Sequence, residues 1–143
     1  MILNDMSPIQ HLSDEASWAL LMSETVGRLA VTVGGNPDIF PLNYLGHDGK
    51  VYFRTAEGTK LLELTVSANV AFEADGYDDT SAWSVVIIGT AKAIHSQDTI
   101  DTLDALPLHP FAPTLTYVWV EITPTELRGR SFRMAREPER LER

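Results

Sequence analysis

A short stretch of the chain combines side chains that could bind an anion. Residues 54–60 read Arg-Thr-Ala-Glu-Gly-Thr-Lys and supply two cations, two hydroxyl groups and a flexible glycine. An alternating, aromatic run at 51–53 precedes the stretch and predicts a strand, and an amphipathic segment at 61–64 follows it and predicts a short helix. The first N–H groups of a helix are unpaired, so such a junction favours an anion.

We call residues 54–60 the cradle. The guanidinium of Arg54 is a planar fork that matches phosphate, and Lys60 adds a point charge. Thr55 and Thr59 add hydroxyl groups. Because Thr, Gly and Lys are also common where a helix is merely capped, the stretch alone leaves phosphate binding and simple capping both open.

Composition limits the classes of function. The chain has 143 residues, which is typical of one domain with one substantial core. Its net charge of -9 argues against general binding of nucleic acid or of anionic membranes. It contains no cysteine, which excludes a disulfide framework and a thiol nucleophile. No signal peptide or long apolar run is visible, so we expect a cytoplasmic protein.

The hydrophobic pattern predicts a mainly β protein with flanking helices. Strands are predicted at residues 27–33, 38–45, 51–55, 69–74, 83–94, 116–122 and 126–132, and helices after Ser13, around 60–66 and after Ser96. Six or seven antiparallel strands at this spacing favour a closed or nearly closed barrel. Residues 13–133 are expected to form the single domain, with a loosely ordered segment at 1–12 and a flexible tail at 134–143.

Proline and glycine mark irregular places in these strands. Pro41 predicts that its strand lies at an edge or carries a bulge, because proline cannot donate to a sheet ladder. Gly89 predicts a kink or bulge in the long strand that contains it. Pro124 is expected to end one strand before a last short strand begins.

Several common chemistries lack their motifs. The four histidines are scattered, no G-x-S-x-G is present and no G-x-G-x-x-G follows a strand. Asp98, Asp101 and Asp104 recur along one helix face, which indicates a solvated face rather than a metal site. What remains is the cradle beside a strand with amide and aromatic groups at 42–44, a combination that suits a flat, phosphorylated aromatic cofactor.

The order of these motifs resembles a known family. A helix is followed by Val-Gly-Arg-Leu-Ala at 26–30, by Pro-Asp-Ile-Phe-Pro-Leu-Asn-Tyr at 37–44 and by the cradle; Trp-Ser-Val-Val-Ile-Ile-Gly-Thr-Ala at 83–91 and Leu-Arg-Gly-Arg-Ser-Phe at 127–132 continue the series. Over residues 13–132 the chain is similar to the pyridoxamine 5′-phosphate oxidase-like, FMN-binding split-barrel family, particularly its small actinobacterial-type members.

The resemblance implies a homodimer that binds two FMN molecules between its subunits. It implies that the phosphate is held by Arg54, Thr55, Thr59 and Lys60, and that Leu42, Asn43 and Tyr44 lie along the isoalloxazine ring. Trp83 and Ser84 would approach the flavin from the neighbouring subunit, although simple packing explains a tryptophan at a strand start equally well. Arg130 is a further candidate that ordinary ion pairing would also explain. No catalytic acid or base and no metal ligand is implied.

The expected function is that of an FMN-dependent oxidoreductase acting on a small molecule. Pyridoxamine phosphate oxidases carry a C-terminal Arg-x-His motif, and no histidine follows His109 here. Nitroimidazole-reductase-like relatives often have histidine where this chain has Arg54. The two departures argue against both pyridoxamine phosphate oxidation and nitroimidazole reduction. Two alternatives stay open at this stage: a reductase that uses the deazaflavin F420 on the same fold, and a flavin-binding protein without turnover.

Overall fold

The computed structural model describes residues 8–65, 69–108 and 117–133, which form eight strands and three helices. In chain order these are β1 (Ile9–Leu12), α1 (Asp14–Met22), β2 (Val26–Val33), β3 (Asn36–Asn43), β4 (Leu45–His47), β5 (Lys50–Ala56), α2 (Lys60–Thr65), β6 (Asn69–Tyr77), β7 (Ser81–Ala93), α3 (Gln97–Asp104) and β8 (Tyr117–Arg133). None of these helices is long and apolar enough to span a bilayer.

The sheet closes on itself. Its strands are all paired antiparallel in the order β3-β2-β6-β7-β8-β5-β4, with β1 added on β8. The two ends of this path, β3 and β4, are joined by Tyr44 alone. Neighbouring strands lie about 4.8 Å apart, so one residue could not connect the ends of a flat sheet of this order. The predicted barrel is confirmed, and β3 contacts β5 across the seam.

Alternation along the strands fills the barrel. Leu29, Phe53, Phe72 and Val85 are fully buried on the inner face of four different strands. Helix α1 adds Leu21 to this core. Its start is the predicted one, since the Ser13 hydroxyl accepts a hydrogen bond from the N–H of Ala16 at 3.1 Å.

A second, smaller core lies outside the barrel. Helix α3 covers the outer face of β5 and β8, where Leu103 packs with Tyr52, Ile94 and Trp119. The predicted cap at Ser96 and the predicted apolar side of this helix are confirmed. The end of β5 that carries the cradle therefore has the main core on one face and this second core on the other.

The prediction that Pro124 ends a strand is wrong. Strand β8 runs unbroken from Tyr117 to Arg133. Pro124 lies opposite Gly89 at the register shift between β7 and β8, where the ladder is already interrupted and a missing N–H costs little. The predicted irregularity at Gly89 is confirmed at the same place, and Pro41 lies in β3, at one end of the sheet path, as expected.

The domain begins earlier than expected. Residues Ile9–Leu12 pair with β8 through Ile9↔Phe132 to Leu12↔Gly129, so the sheet includes part of the segment that was expected to be loosely ordered. The four residues of β1, Ile-Gln-His-Leu, do not alternate between apolar and polar, so the sequence pattern does not indicate a strand there. The expectations for residues 1–7 and 134–143 lie outside the described residues.

Candidate phosphate and cofactor site

The cradle is a tight turn between β5 and α2. The N–H of Thr59 donates to the carbonyl of Ala56 at 3.4 Å and closes the turn. Gly58 has a φ of 72°, in the left-handed region where glycine is favoured. The short turn fixes where the end of the strand and the first residue of the helix stand relative to each other.

The two cradle hydroxyls form a pair. Thr59 Oγ1 donates to the Ala56 carbonyl at 2.9 Å and accepts from the N–H of Leu62 at 3.3 Å. Thr55 Oγ1 is 2.9 Å from Thr59 Oγ1. Since the single Thr59 proton is directed to Ala56, Thr55 must be the donor in this pair. Thr59 therefore caps α2, and Thr55, which is buried, steadies the cap.

Arg54 leaves the opposite face of β5. Its guanidinium carbon is 4.3 Å from the centroid of the Tyr117 ring and 5.6 Å from that of Trp119. The negative face of an aromatic ring attracts a cation placed over it and does not use the hydrogen-bond donors of the guanidinium, which can still bind an anion. Its buried Nε has no hydrogen-bond partner among the residues that the structure describes.

Lys60 is the exposed first residue of α2 and forms no salt bridge within the described part of the chain. The helix has only six residues, so few peptide dipoles add up at its start. Anion binding at the cradle must therefore rest on side chains more than the sequence pattern indicated.

The segment 42–44 divides into core and surface. Tyr44 is 1% exposed, donates its hydroxyl to the Leu21 carbonyl and meets Phe72 edge to face at 4.8 Å. Burial, with the charges of Glu24 and Glu73, raises the pKa of Tyr44, so the phenol stays a donor. The Leu42 side chain is buried as well. At these two positions the side chains serve the core, and only the backbone is left to border a cofactor.

Asn43 offers a side chain with an unused acceptor. Its Nδ2 donates to the Thr25 carbonyl at 3.3 Å. Its buried Oδ1 has no hydrogen-bond partner among residues 8–65, 69–108 and 117–133. Asn43 is the last residue of β3, the strand that meets β5 across the seam of the barrel.

Trp83 and Ser84 are adjacent, and so they face opposite sides of β7. Trp83 packs against the main core and over Gly76, where an added Cβ would lie 2.6 Å from its indole nitrogen. Ser84 faces outward opposite Arg130. With Val86 and Arg128, these two residues line an open cavity of about 120 Å³. A shared approach of Trp83 and Ser84 to one ligand stays a prediction.

Three residues near the cradle were missed by sequence reasoning. Tyr117 and Trp119 hold Arg54, and Asp104 holds both rings. Alternation placed the two aromatic residues on one face, but the pairing of β5 with β8, which brings Trp119 opposite Arg54, is a long-range contact. Asp104 was assigned to a solvated helix face, which is only part of its environment.

The closed antiparallel sheet, with α1 packed on its main core and α3 on its outer face, defines the chain as a split-barrel protein. The family model for pyridoxamine 5′-phosphate oxidase matches residues 13–131. The chain belongs to the pyridoxamine 5′-phosphate oxidase family, as its resemblance predicted.

Solved structures and a curated relative agree with this assignment. A candidate pyridoxamine 5′-phosphate oxidase from Corynebacterium glutamicum is 38% identical with a TM-score of 0.81, covering 91% of this chain and 98% of that one. The FAD binding protein from Mycobacterium smegmatis is 37% identical with a TM-score of 0.81, covering 88% and 100%. An uncharacterized protein of Mycobacterium tuberculosis is 37% identical over 90 residues, which are 63% of this chain and 82% of the relative.

Proposed function

We propose that the protein is an FMN-dependent oxidoreductase that acts on a small molecule. The observation that carries the proposal is a pair of buried polar atoms without partners among the described residues, the Arg54 Nε donor and the Asn43 Oδ1 acceptor. Buried polar groups are normally hydrogen-bonded, so such atoms indicate a bound partner. A phosphorylated flavin offers a partner to each atom. Its phosphate is an anion that Arg54 could bind, and its isoalloxazine ring carries an N–H that Asn43 could accept.

The phosphate would lie beyond the end of β5. On one face of the strand, the Arg54 guanidinium lies over Tyr117, which pairs with Ala56 at this end of β5, and Thr55 and Thr59 lie on the other face. Lys60 adds a second positive charge at the start of α2. In a chain with a net charge of -9, these two cations outnumber the single acid of the stretch, Glu57, and give a local positive charge that suits an anionic group. Leu42, Asn43 and Tyr44 would border the ring. Leu42 and Tyr44 would do so through their backbone, and Asn43 through its side chain.

The flavin would supply the electron or hydride transfer, and the chain would bind and orient it. We assign no acid or base among the described residues. Rapid reduction of the holoprotein by a nicotinamide donor, followed by reoxidation with a small acceptor faster than free flavin achieves, is the expected result. Reduction and reoxidation no faster than those of free flavin would instead favour a flavin-binding protein without turnover.

FAD is a second candidate cofactor. The Mycobacterium smegmatis relative, 37% identical, is an FAD binding protein. FAD carries the same isoalloxazine ring and a phosphate in the same position as FMN, so the cradle would serve either molecule. The deazaflavin F420 is a third candidate, although its long acidic tail would meet an acidic protein. The mass of the released cofactor distinguishes the three.

We infer that two copies of the chain associate through the outer face of the sheet. A row of apolar residues crosses four strands there, through Ile39↔Ala30, Ala30↔Ala71 and Ala71↔Ile88. Ile39 is 62% exposed. A continuous apolar row on an exposed sheet face is typical of an interface. The same face carries Ser84 and Arg130, which would bring both near a cofactor of the second copy.

Sedimentation equilibrium tests the association. The wild type is expected at twice the chain mass of 15.8 kDa, and Ile39→Asp is expected at the mass of one chain with its fold intact. Met22→Ser is the matched control, because Met22 is an exposed apolar residue of α1 and lies away from this sheet face. A wild type that sediments as one chain at micromolar concentration rules the interface out.

A further inference from the structure

Asp104 binds the two aromatic side chains that contact Arg54 of the cradle. A single oxygen, Oδ1, accepts the Tyr117 hydroxyl at 2.9 Å and the Trp119 indole N–H at 2.8 Å. The two rings meet edge to face with centroids 6.4 Å apart. Hydrogen bonds to a carboxylate are stronger than those between neutral groups, so Asp104 restricts the orientation of both rings.

The position of Asp104 has a cost that these bonds must offset. It is the last residue of α3, where the helix dipole disfavours a negative charge. The helix carries no basic residue in its last turn to compensate. A carboxylate kept at this place is explained by the two rings that it holds rather than by the helix.

The two rings in turn lie against the Arg54 guanidinium and limit the positions that it can take. Its carbon lies over the Tyr117 ring at 4.3 Å, and the carboxylate at the hydroxyl of that ring adds negative potential beneath the cation. Limiting the positions of the guanidinium also limits the directions of its N–H donors, which matters because a phosphate is bound through these donors.

We propose that Asp104 is a positioning residue for Arg54, and that it sets the preference of the site for a flavin carrying a 5′-phosphate. The inference rests on the proposed function, because it assumes that Arg54 binds this phosphate. Asp104 acts through Tyr117 and Trp119 and does not touch the cofactor.

The test compares the dissociation constants of FMN and riboflavin, which differ by the phosphate alone. Asp104→Ala is expected to weaken FMN binding roughly five-fold, the scale of one hydrogen bond, and to leave riboflavin binding unchanged. In an Arg54→Ala background, Asp104→Ala should no longer change the ratio of the FMN dissociation constant to the riboflavin dissociation constant, because the residue that Asp104 positions is gone. Asp101→Asn, one turn earlier on the same exposed helix face, is the matched control and should change neither constant.

The outcomes separate this inference from the proposed function. A wild type that binds FMN and riboflavin equally overturns both. A wild type that prefers FMN, with Asp104→Ala weakening both ligands alike or acting equally with and without Arg54, overturns the Asp104 inference alone. If Asp104→Ala does not fold, Tyr117→Phe replaces it. This variant keeps the ring and removes one bond, and it is expected to raise the ratio of the FMN dissociation constant to the riboflavin dissociation constant about two-fold. An unchanged ratio in Tyr117→Phe would then overturn the inference.

Discussion

The hydroxyl oxygens of Thr55 and Thr59 lie 2.9 Å apart and join the end of β5 to the start of α2. Thr59 at the same time caps the helix through the N–H of Leu62. Helix capping therefore explains the two threonines of the cradle. It does not account for Arg54, whose buried Nε lies outside this hydrogen-bond network.

Replacing the cap should lower stability. Thr59→Val removes the hydroxyl that serves Leu62, Ala56 and Thr55, and we expect the free energy of unfolding to fall by about 0.5–2 kcal/mol, the usual cost of a lost N-cap. Thr59→Ser keeps the hydroxyl and is the control. Urea titration of the cofactor-free protein measures both, and equal midpoints for Thr59→Val and the wild type would count against the cap.

Removing the cradle cations should weaken cofactor binding. Arg54→Ala and Lys60→Ala should each cost about 1–3 kcal/mol of FMN affinity, the scale of a charge-assisted hydrogen bond. Lys92→Ala is the matched control, since this exposed lysine pairs with Glu121 at 3.5 Å outside the cradle. Isothermal titration gives the constants. Wild-type affinity in the double variant Arg54→Ala/Lys60→Ala would mean that the phosphate lies elsewhere.

The close approach of β7 and β8 should tolerate no side chain. A Cβ on Gly89 would lie 2.2 Å from the carbonyl oxygen of Thr123, which is backbone and cannot turn away. We expect Gly89→Ala to lower the free energy of unfolding by about 1–3 kcal/mol, as overpacking commonly does. Thr90→Ala, at the exposed neighbouring position, should change the thermal midpoint little. A Gly89→Ala midpoint equal to that of the wild type would show that the strands can separate there without cost.

Glu121 should make stability fall in acid. Burial by itself would raise its pKa, but the hydrogen bond from Tyr52 and the charges of Lys50 and Lys92 outweigh burial and hold the pKa below the ordinary value of 4.5. A carboxyl whose pKa is lowered by folding stabilises the protein above its unfolded pKa and loses that contribution as the pH falls through the folded pKa.

The Glu121→Gln variant isolates this contribution. Its free energy of unfolding should fall less than that of the wild type between about pH 5 and about pH 3, because glutamine does not titrate. Glu73, whose pKa is raised, acts in the opposite direction but is present in both proteins, so the difference between them belongs to Glu121. Parallel curves for the two proteins would contradict the assigned role.

Local pattern was enough to predict most elements. Ser13 and Ser96 mark helix starts through their own side chains, and Gly89 marks a bulge through its missing Cβ. Pro124 shows where such reasoning ends, because its tolerance depends on Gly89 of another strand. Cradle residues were found because they are contiguous. The sequence did not reveal the roles of Asp104, Tyr117 and Trp119, because only the pairing of β5 with β8 and the packing of α3 bring these residues to Arg54.

The measurement that tests the central claim most directly is the visible absorption spectrum of the purified protein, followed by the mass of the chromophore released on denaturation. The account predicts a flavin spectrum and the release of FMN, or of FAD as the second candidate. A protein that is colourless as purified, and that takes up neither FMN nor FAD on titration, would contradict it.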